Sequence, residues 1–231
     1  MSTSPIAAMF DRISPKYDAL NHLLSLNIDK VWRRTTAREV AKNRPNAILD
    51  LATGTADLAI ALAKRNPQAH IIGVDISEKM LDIGKEKVEQ QDLECQIELQ
   101  LGDAASLPFD DNSFDTITVA FGVRNFEDLN KGLSEISRVL KPNGKAVILE
   151  FSMPESFPIK QAYRFYFRHI LPKIGRAVSK DANAYTYLPE SVEQFPKPKA
   201  FQQMLIDHSL THCKSRKLSL GIAILYTATK A

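Results

Sequence analysis

Cysteine is scarce. Cys95 and Cys213 are the only two and have no metal-ligand spacing, so neither a disulfide framework nor a thiolate zinc site is expected, and a reduced setting suits them. Long apolar runs are missing as well. None reaches the ~18–20 residues that span a bilayer, and the opening MSTSPIAAMFDRISPKYD carries acids where a secretory leader has an apolar stretch. There is little excess charge: 30 Lys and Arg against 27 Asp and Glu leave +3, too small to argue for nucleic acid. The five histidines, His22, His70, His169, His208 and His212, show no ligand pattern, so no metal is expected. Glycine is sparse too. No G-x-G-x-x-G occurs, which disfavours a dinucleotide cofactor.

What is present is an alternation. AILDLA (47–52), IIGVD (71–75), QIELQL (96–101), DTITVA (115–120) and KAVILEF (145–151) are short runs rich in Ile, Val and Leu, separated by helical patterns. Three of them are almost continuously apolar, as strands covered on both faces are. Strand–helix alternation predicts an α/β chain with a doubly wound, mostly parallel sheet. The helix before KAVILEF is expected to stop in a turn at Lys141-Pro142-Asn143-Gly144. Residues 1–45 read as a helical lead-in that could fold over a crevice as a lid, and 46–151 as the core. Residues 152–198, with half of the twelve prolines, read as a partly helical insertion, and 199–231 as a closing helix with two antiparallel strands. All belong to one domain.

In such sheets ligands sit at the carboxyl ends of the strands. The first strand runs into DLATGTADLA, where Asp50, Gly54 and Thr55 are candidate cofactor residues. Asp75 ends the second strand twenty positions after Thr55, a spacing that suits a carboxylate gripping ribose hydroxyls. Ser77 is the better candidate to cap the next helix. Asp103 and Ala104 follow the third strand: an acceptor for an exocyclic amine and room for a flat base, or else an Asx-turn. Two acids with a single-glycine loop favour an adenosine without a phosphate chain, which fits S-adenosylmethionine. After the fourth strand comes FGVRNF, in which Arg124 and Asn125 are expected to point into the crevice. The competing reading is an ion pair of Arg124 with Glu127 or Asp128.

DLATGTADLA, GVDISEKML, GDAASLPFDDNSFD and LKPNGKAVILEF, in this order, resemble the class I methyltransferases. YDALNHLLSLNIDKVWRR, FGVRNFED, SKDANAYTYLPESVEQFP and LSLGIAILY are similar to the demethylmenaquinone/demethylubiquinone C-methyltransferases, over nearly the whole chain. The resemblance implies a seven-stranded sheet. It also implies methyl transfer from S-adenosylmethionine to a ring carbon of a polyprenylated quinol, demethylmenaquinol ahead of a ubiquinone precursor, and places Thr55, Asp75, Asp103 and Ala104 on cofactor-binding positions. Cytoplasmic residence is expected from the reduced cysteines, transient contact at the inner face of the membrane from the basic segment 160–180, and a homodimer is left open. The chain departs from the family pattern at Ala56 and Asn27, where glycine is usual, at Ala120, where many members have a serine, and at Asp29-Lys30.

The chemistry implied requires a proton to leave a phenolic hydroxyl while the ring carbon attacks. Candidates for taking it are Tyr17, Asp18, His22 and a water held by Arg124 and Asn125. Tyr185, Tyr187 and Phe195 read either as an apolar wall for the quinol or as packing. The segment 160–180, with six Lys and Arg and no acid among aromatic residues, reads as a membrane-facing helix or a solvated cationic face. Two other classes remain as alternatives: a cofactor-binding scaffold without turnover, and an NAD-linked oxidoreductase, which the single-glycine loop opposes.

Overall fold

The apolar runs form the middle of a seven-stranded sheet in a computed structural model that describes residues 4–166 and 182–231. The strands are β1 (Ala47–Leu51), β2 (His70–Asp75), β3 (Ile97–Leu101), β4 (Phe114–Ala120), β5 (Leu140–Phe151), β6 (Leu210–Leu218) and β7 (Ala223–Lys230). Their order is β3-β2-β1-β4-β5-β7-β6. The first five are parallel, and β7 is antiparallel to both β5 and β6. The chain moves outward from β1 to β3 and then returns to place β4 beside β1. The switch point therefore lies between the carboxyl ends of β1 and β4, where such sheets open a crevice.

Eight helices are described: α1 (Pro5–Leu24), α2 (Ile28–Ala41), α3 (Asp57–Ala63), α4 (Glu78–Glu89), α5 (Leu129–Val139), α6 (Ile159–Phe165), α7 (Ala182–Gln194) and α8 (Pro198–Asp207). One sheet face packs Leu49, Ile117 and Val119 against Leu133 and Ile136 of α5 and Phe201 of α8. The other packs Ile48, Ile71 and Val147 against Val40 of α2 and Leu62 of α3. Both faces are covered, which is why the strands read as continuous apolar runs. Ser77 caps α4, its hydroxyl accepting from the Met80 N–H at 3.3 Å.

One expectation changes. Lys141–Gly144 is not a turn outside the sheet: α5 ends at Val139, and these residues bulge within β5, whose register against β4 slips between Phe114 and Thr116. Asn143, at φ 63, takes the left-handed conformation the bulge needs. Pro15 also lies inside α1 and does not end it. Proline cannot donate to the Asp11 carbonyl one turn back, and the Ser14 hydroxyl does so instead at 3.1 Å.

The basic segment 160–180 lies, from residue 167, outside the described residues, as does the side chain of Tyr185. Phe195 belongs to the core: its ring is 4.9 Å from Phe201, so it is packing and not a substrate wall.

Candidate active site

The crevice opens over the ends of β1, β2, β3 and β4, lined there by Leu51, Ala52, Asp75, Asp103, Ala104 and Ala120. Asp75 is the fixed point. Its Oδ2 accepts from the Gly54 N–H at 2.8 Å and its Oδ1 from the Ser77 N–H at 2.9 Å, which ties the first loop to the start of α4. Burial nevertheless raises the Asp75 carboxyl above its ordinary range, outweighing those N–H groups. The Ile76 N–H also bonds the carboxyl, so about one of its four lone-pair sites stays open, and the residue lines the crevice. Gly54 is at φ 56, and a Cβ there would meet nothing within 4 Å. Glycine serves the conformation, and Gly54 itself is not among the residues that line the crevice. Asp103 does form the Asx-turn, accepting from the Ala105 N–H at 2.9 Å, and still faces the crevice.

Three sequence candidates sit elsewhere. Thr55 does not line the crevice; its hydroxyl donates to Asp18 of α1 at 2.6 Å. Asp50 is buried beneath the crevice, accepting from Thr53 at 2.7 Å and Thr118 at 2.6 Å, and burial pushes its carboxyl up to about 6. It holds β1, its loop and β4 together and is not presented to a ligand. His22 points away from the crevice into a polar cluster, with Nδ1 2.8 Å from Asp29 and Nε2 3.9 Å from Asp57.

His22, Asp29 and Asp57 have donor atoms close enough to share an ion. Arg33 already pairs with Asp29 and approaches Asp57 at 3.7 Å, however, and Lys87 pairs with Asp57 and, at 2.9 Å, with Asp18. Guanidinium and ammonium groups fill the role a cation would. Burial disfavours charge on Asp29, yet bonds from Ser25 and Arg33 prevail and hold its carboxyl below the usual range.

The helical lead-in contributes side chains to the crevice wall. Phe10 and Tyr17 of α1 line it. Ser4 donates to Glu127, Asp11 accepts from Ser77 at 2.6 Å, and Asp18 accepts from Thr55 and Lys87. Asn27, at φ 60, makes the left-handed corner between α1 and α2, which explains a position where glycine is usual. Ala56 is likewise at φ 63, at the start of α3.

FGVRNF departs from expectation in detail. Phe121, not Gly122, takes the left-handed conformation, at φ 60. Gly122 is required by contact: a Cβ there would lie 2.3 Å from the Ala52 Cβ. Arg124 does not line the crevice and pairs with neither Glu127 nor Asp128. Its Nη1 donates to Glu150 at 2.8 Å and to the Phe121 carbonyl, its Nε to Ser191 at 3.2 Å, and its backbone N–H to Glu150 at 3.2 Å. Its guanidinium also lies 5.4 Å from the Phe151 ring. Sequence reasoning missed Glu150; its only signal is a lone acid in the apolar run KAVILEF.

Asn125 does line the crevice. Its Oδ1 accepts from the Tyr187 hydroxyl at 3.0 Å, which leaves its amide N–H groups for the crevice. Tyr17 faces the same space. Burial raises its phenol above the ordinary range, against the nearby charge of Arg124. A phenol that holds its proton this firmly is a hydrogen-bond donor and a poor base. The crevice is thus lined by the acids Asp75, Asp103 and Glu127 and by the donors Tyr17 and Asn125.

The family model described as the ubiE/COQ5 methyltransferase family matches residues 1–230. A demethylmenaquinone methyltransferase of Bacteroides fragilis is 46% identical over 225 residues, covering 97% of this chain and 92% of that protein. A ubiquinone/menaquinone biosynthesis C-methyltransferase of Geotalea daltonii is 45% identical over 227 residues, covering 97% and 96%. Among solved structures, a putative S-adenosylmethionine-dependent methyltransferase of Methanococcus maripaludis matches with a TM-score of 0.66 at 21% identity, covering 96% of this chain and 94% of that one. At that identity the likeness concerns the fold.

Proposed function

The chain belongs to the ubiE/COQ5 methyltransferase family, and on that premise we propose that it transfers a methyl group from S-adenosylmethionine to a ring carbon of demethylmenaquinol, giving menaquinol. The observation that supports this reading is that one crevice is lined both by the acids Asp75 and Asp103 and by the donors Tyr17 and Asn125.

Asp75, Asp103, Ala104 and Ala120 suit the cofactor. Asp75 has a lone pair left for a ribose hydroxyl, Asp103 an oxygen for an exocyclic amine, and Ala104 and Ala120 leave room for a flat base. The cofactor supplies an electrophilic methyl on sulfur. The chain's own task is to align the ring carbon, exclude water and stabilise charge on the neighbouring oxygen as its proton leaves. Tyr17 and Asn125 present O–H and N–H donors to that oxygen. Arg124 acts from behind them: paired with Glu150, it fixes the 123–125 turn and keeps a positive charge near the Tyr17 phenol. Phe10, Met153, Tyr166 and Leu188 gather beside Met80 between α1, α6 and α7, an apolar setting for the ring and the start of its tail, whose length keeps the quinol in lipid.

The test is methyl transfer from S-adenosylmethionine to demethylmenaquinol and to the matched ubiquinone precursor, side by side. Preferential methylation of the naphthoquinol ring supports the reading. Turnover of the ubiquinone precursor alone would reassign the substrate, and turnover of neither would reject the reading.

A further inference from the structure

Four of the exposed large apolar side chains belong to one corner at the carboxyl end of the sheet: Leu26 (78% exposed), Val31 (55%), Phe157 (80%) and Leu220 (71%). They come from three distant segments that the fold brings together. Trp32 Nε1 donates to Ser219 at 2.9 Å, joining α2 to the β6–β7 turn. The Ser152 N–H donates to the Ile222 carbonyl at 2.9 Å, and Lys217 pairs with Glu155 at 2.9 Å, joining that turn to the loop before α6.

Two of the four hold left-handed backbone, Leu26 at φ 52 and Leu220 at φ 60. That conformation is costly for a residue with a Cβ, and neither side chain gains burial in return. Folding gives no reason for leucine at either position.

The surrounding charge is mostly positive. Segments 25–34, 152–166 and 214–222 hold eight Lys and Arg and two acids, Asp29 and Glu155, each already paired with a cation. Apolar side chains set in a cationic surface match the chemistry of an anionic lipid headgroup layer over acyl chains.

We infer that this corner, formed by the α1–α2 junction, the loop before α6 and the β6–β7 turn, is a docking surface for an anionic lipid bilayer. It lies on the same end of the sheet as the crevice. Docking there brings the crevice mouth to the lipid, where a long-tailed quinol resides. This last link rests on the proposed substrate; the docking surface does not.

The experiment is co-sedimentation of the full chain with vesicles of phosphatidylcholine alone and of phosphatidylcholine with phosphatidylglycerol, for the native protein and for the variant Phe157→Ser/Leu220→Asn. Asparagine tolerates left-handed backbone, so the melting temperature should not fall. The native protein is expected to bind the anionic vesicles preferentially, and the variant to lose at least about tenfold in partitioning. Equal partitioning of the two would overturn the proposal. So would a native dimer in sedimentation velocity that the variant abolishes without any vesicle binding, because the surface would then meet a second copy of the chain. Methyl transfer to a tail-less quinol in solution separates the two readings. If that reaction proceeds equally in both proteins while vesicle-borne quinol is methylated more slowly by the variant, docking is supported. If no quinol is methylated at all, the functional reading fails and the vesicle result still decides the docking surface.

Discussion

Glu150, at the end of β5, holds Arg124 by two separate bonds, one from Nη1 at 2.8 Å and one from the backbone N–H at 3.2 Å, and the two side chains are only 0% and 7% exposed. This pair fixes the turn that presents Asn125. Removing one partner of a buried pair leaves a charge without compensation, which costs about 3–5 kcal/mol. Arg124→Ala should lose that much in urea unfolding, and Arg124→Ala/Glu150→Gln should regain most of it. Methyl-transfer rate should return with stability to within about tenfold of native, because Arg124 acts behind the donors. A refolded double variant still slower by about 10²–10³ would mean that the guanidinium itself reaches the reacting oxygen.

Asp75 should carry cofactor affinity. A lost charge-assisted hydrogen bond is worth roughly 1.5–3 kcal/mol, so Asp75→Ala should weaken S-adenosylmethionine binding about ten- to hundred-fold. Asp75→Asn keeps an acceptor for one of the Gly54 and Ser77 N–H groups and should lose less. Calorimetry with an unchanged dissociation constant in folded Asp75→Ala protein would remove the residue from the site.

Thr55 and Asp18 should act as one unit. Their hydrogen bond closes α1 over the crevice, with Lys87 joining both. Thr55→Ala and Asp18→Ala should each speed cofactor release in stopped flow, and the double variant should release no faster than the quicker single one. Additive effects would show that Thr55 touches the cofactor independently of the lid.

Asp50 gives a pH signature. Its carboxyl is raised from 3.8 to about 6 in the folded state, so the fold binds a proton more tightly than the unfolded chain does. Stability from this group is full below pH ~4 and lost as pH rises through ~6, up to about 3 kcal/mol. Asp50→Asn should therefore melt at a temperature less dependent on pH across that window than the native protein. Parallel melting curves for the two proteins from pH 4 to 7 would contradict the assignment.

The strands and most helices were legible because a sheet covered on both faces writes itself as apolar runs, and Asp75 was legible because it ends such a run. Contacts between distant segments were not. Glu150 lies 26 residues from Arg124 and was hidden within KAVILEF. Thr55 reads as a ligand residue in its loop, and only the folded position of α1 reveals Asp18 as its partner 37 residues away. FGVRNF announced a special turn, but a contact between Gly122 and Ala52 across two strands cannot be read from local pattern.

The most direct test is single-turnover methyl transfer from saturating S-adenosylmethionine to demethylmenaquinol, comparing native protein with Tyr17→Phe/Asn125→Ala. Both substitutions remove donors from the crevice and leave Asp75 and Asp103 unchanged. The native enzyme should methylate the ring carbon. The variant should do so about 10²–10³ times more slowly, with cofactor affinity within about twofold of native. Equal rates in the two proteins, or no methyl on the quinol ring, would contradict the account.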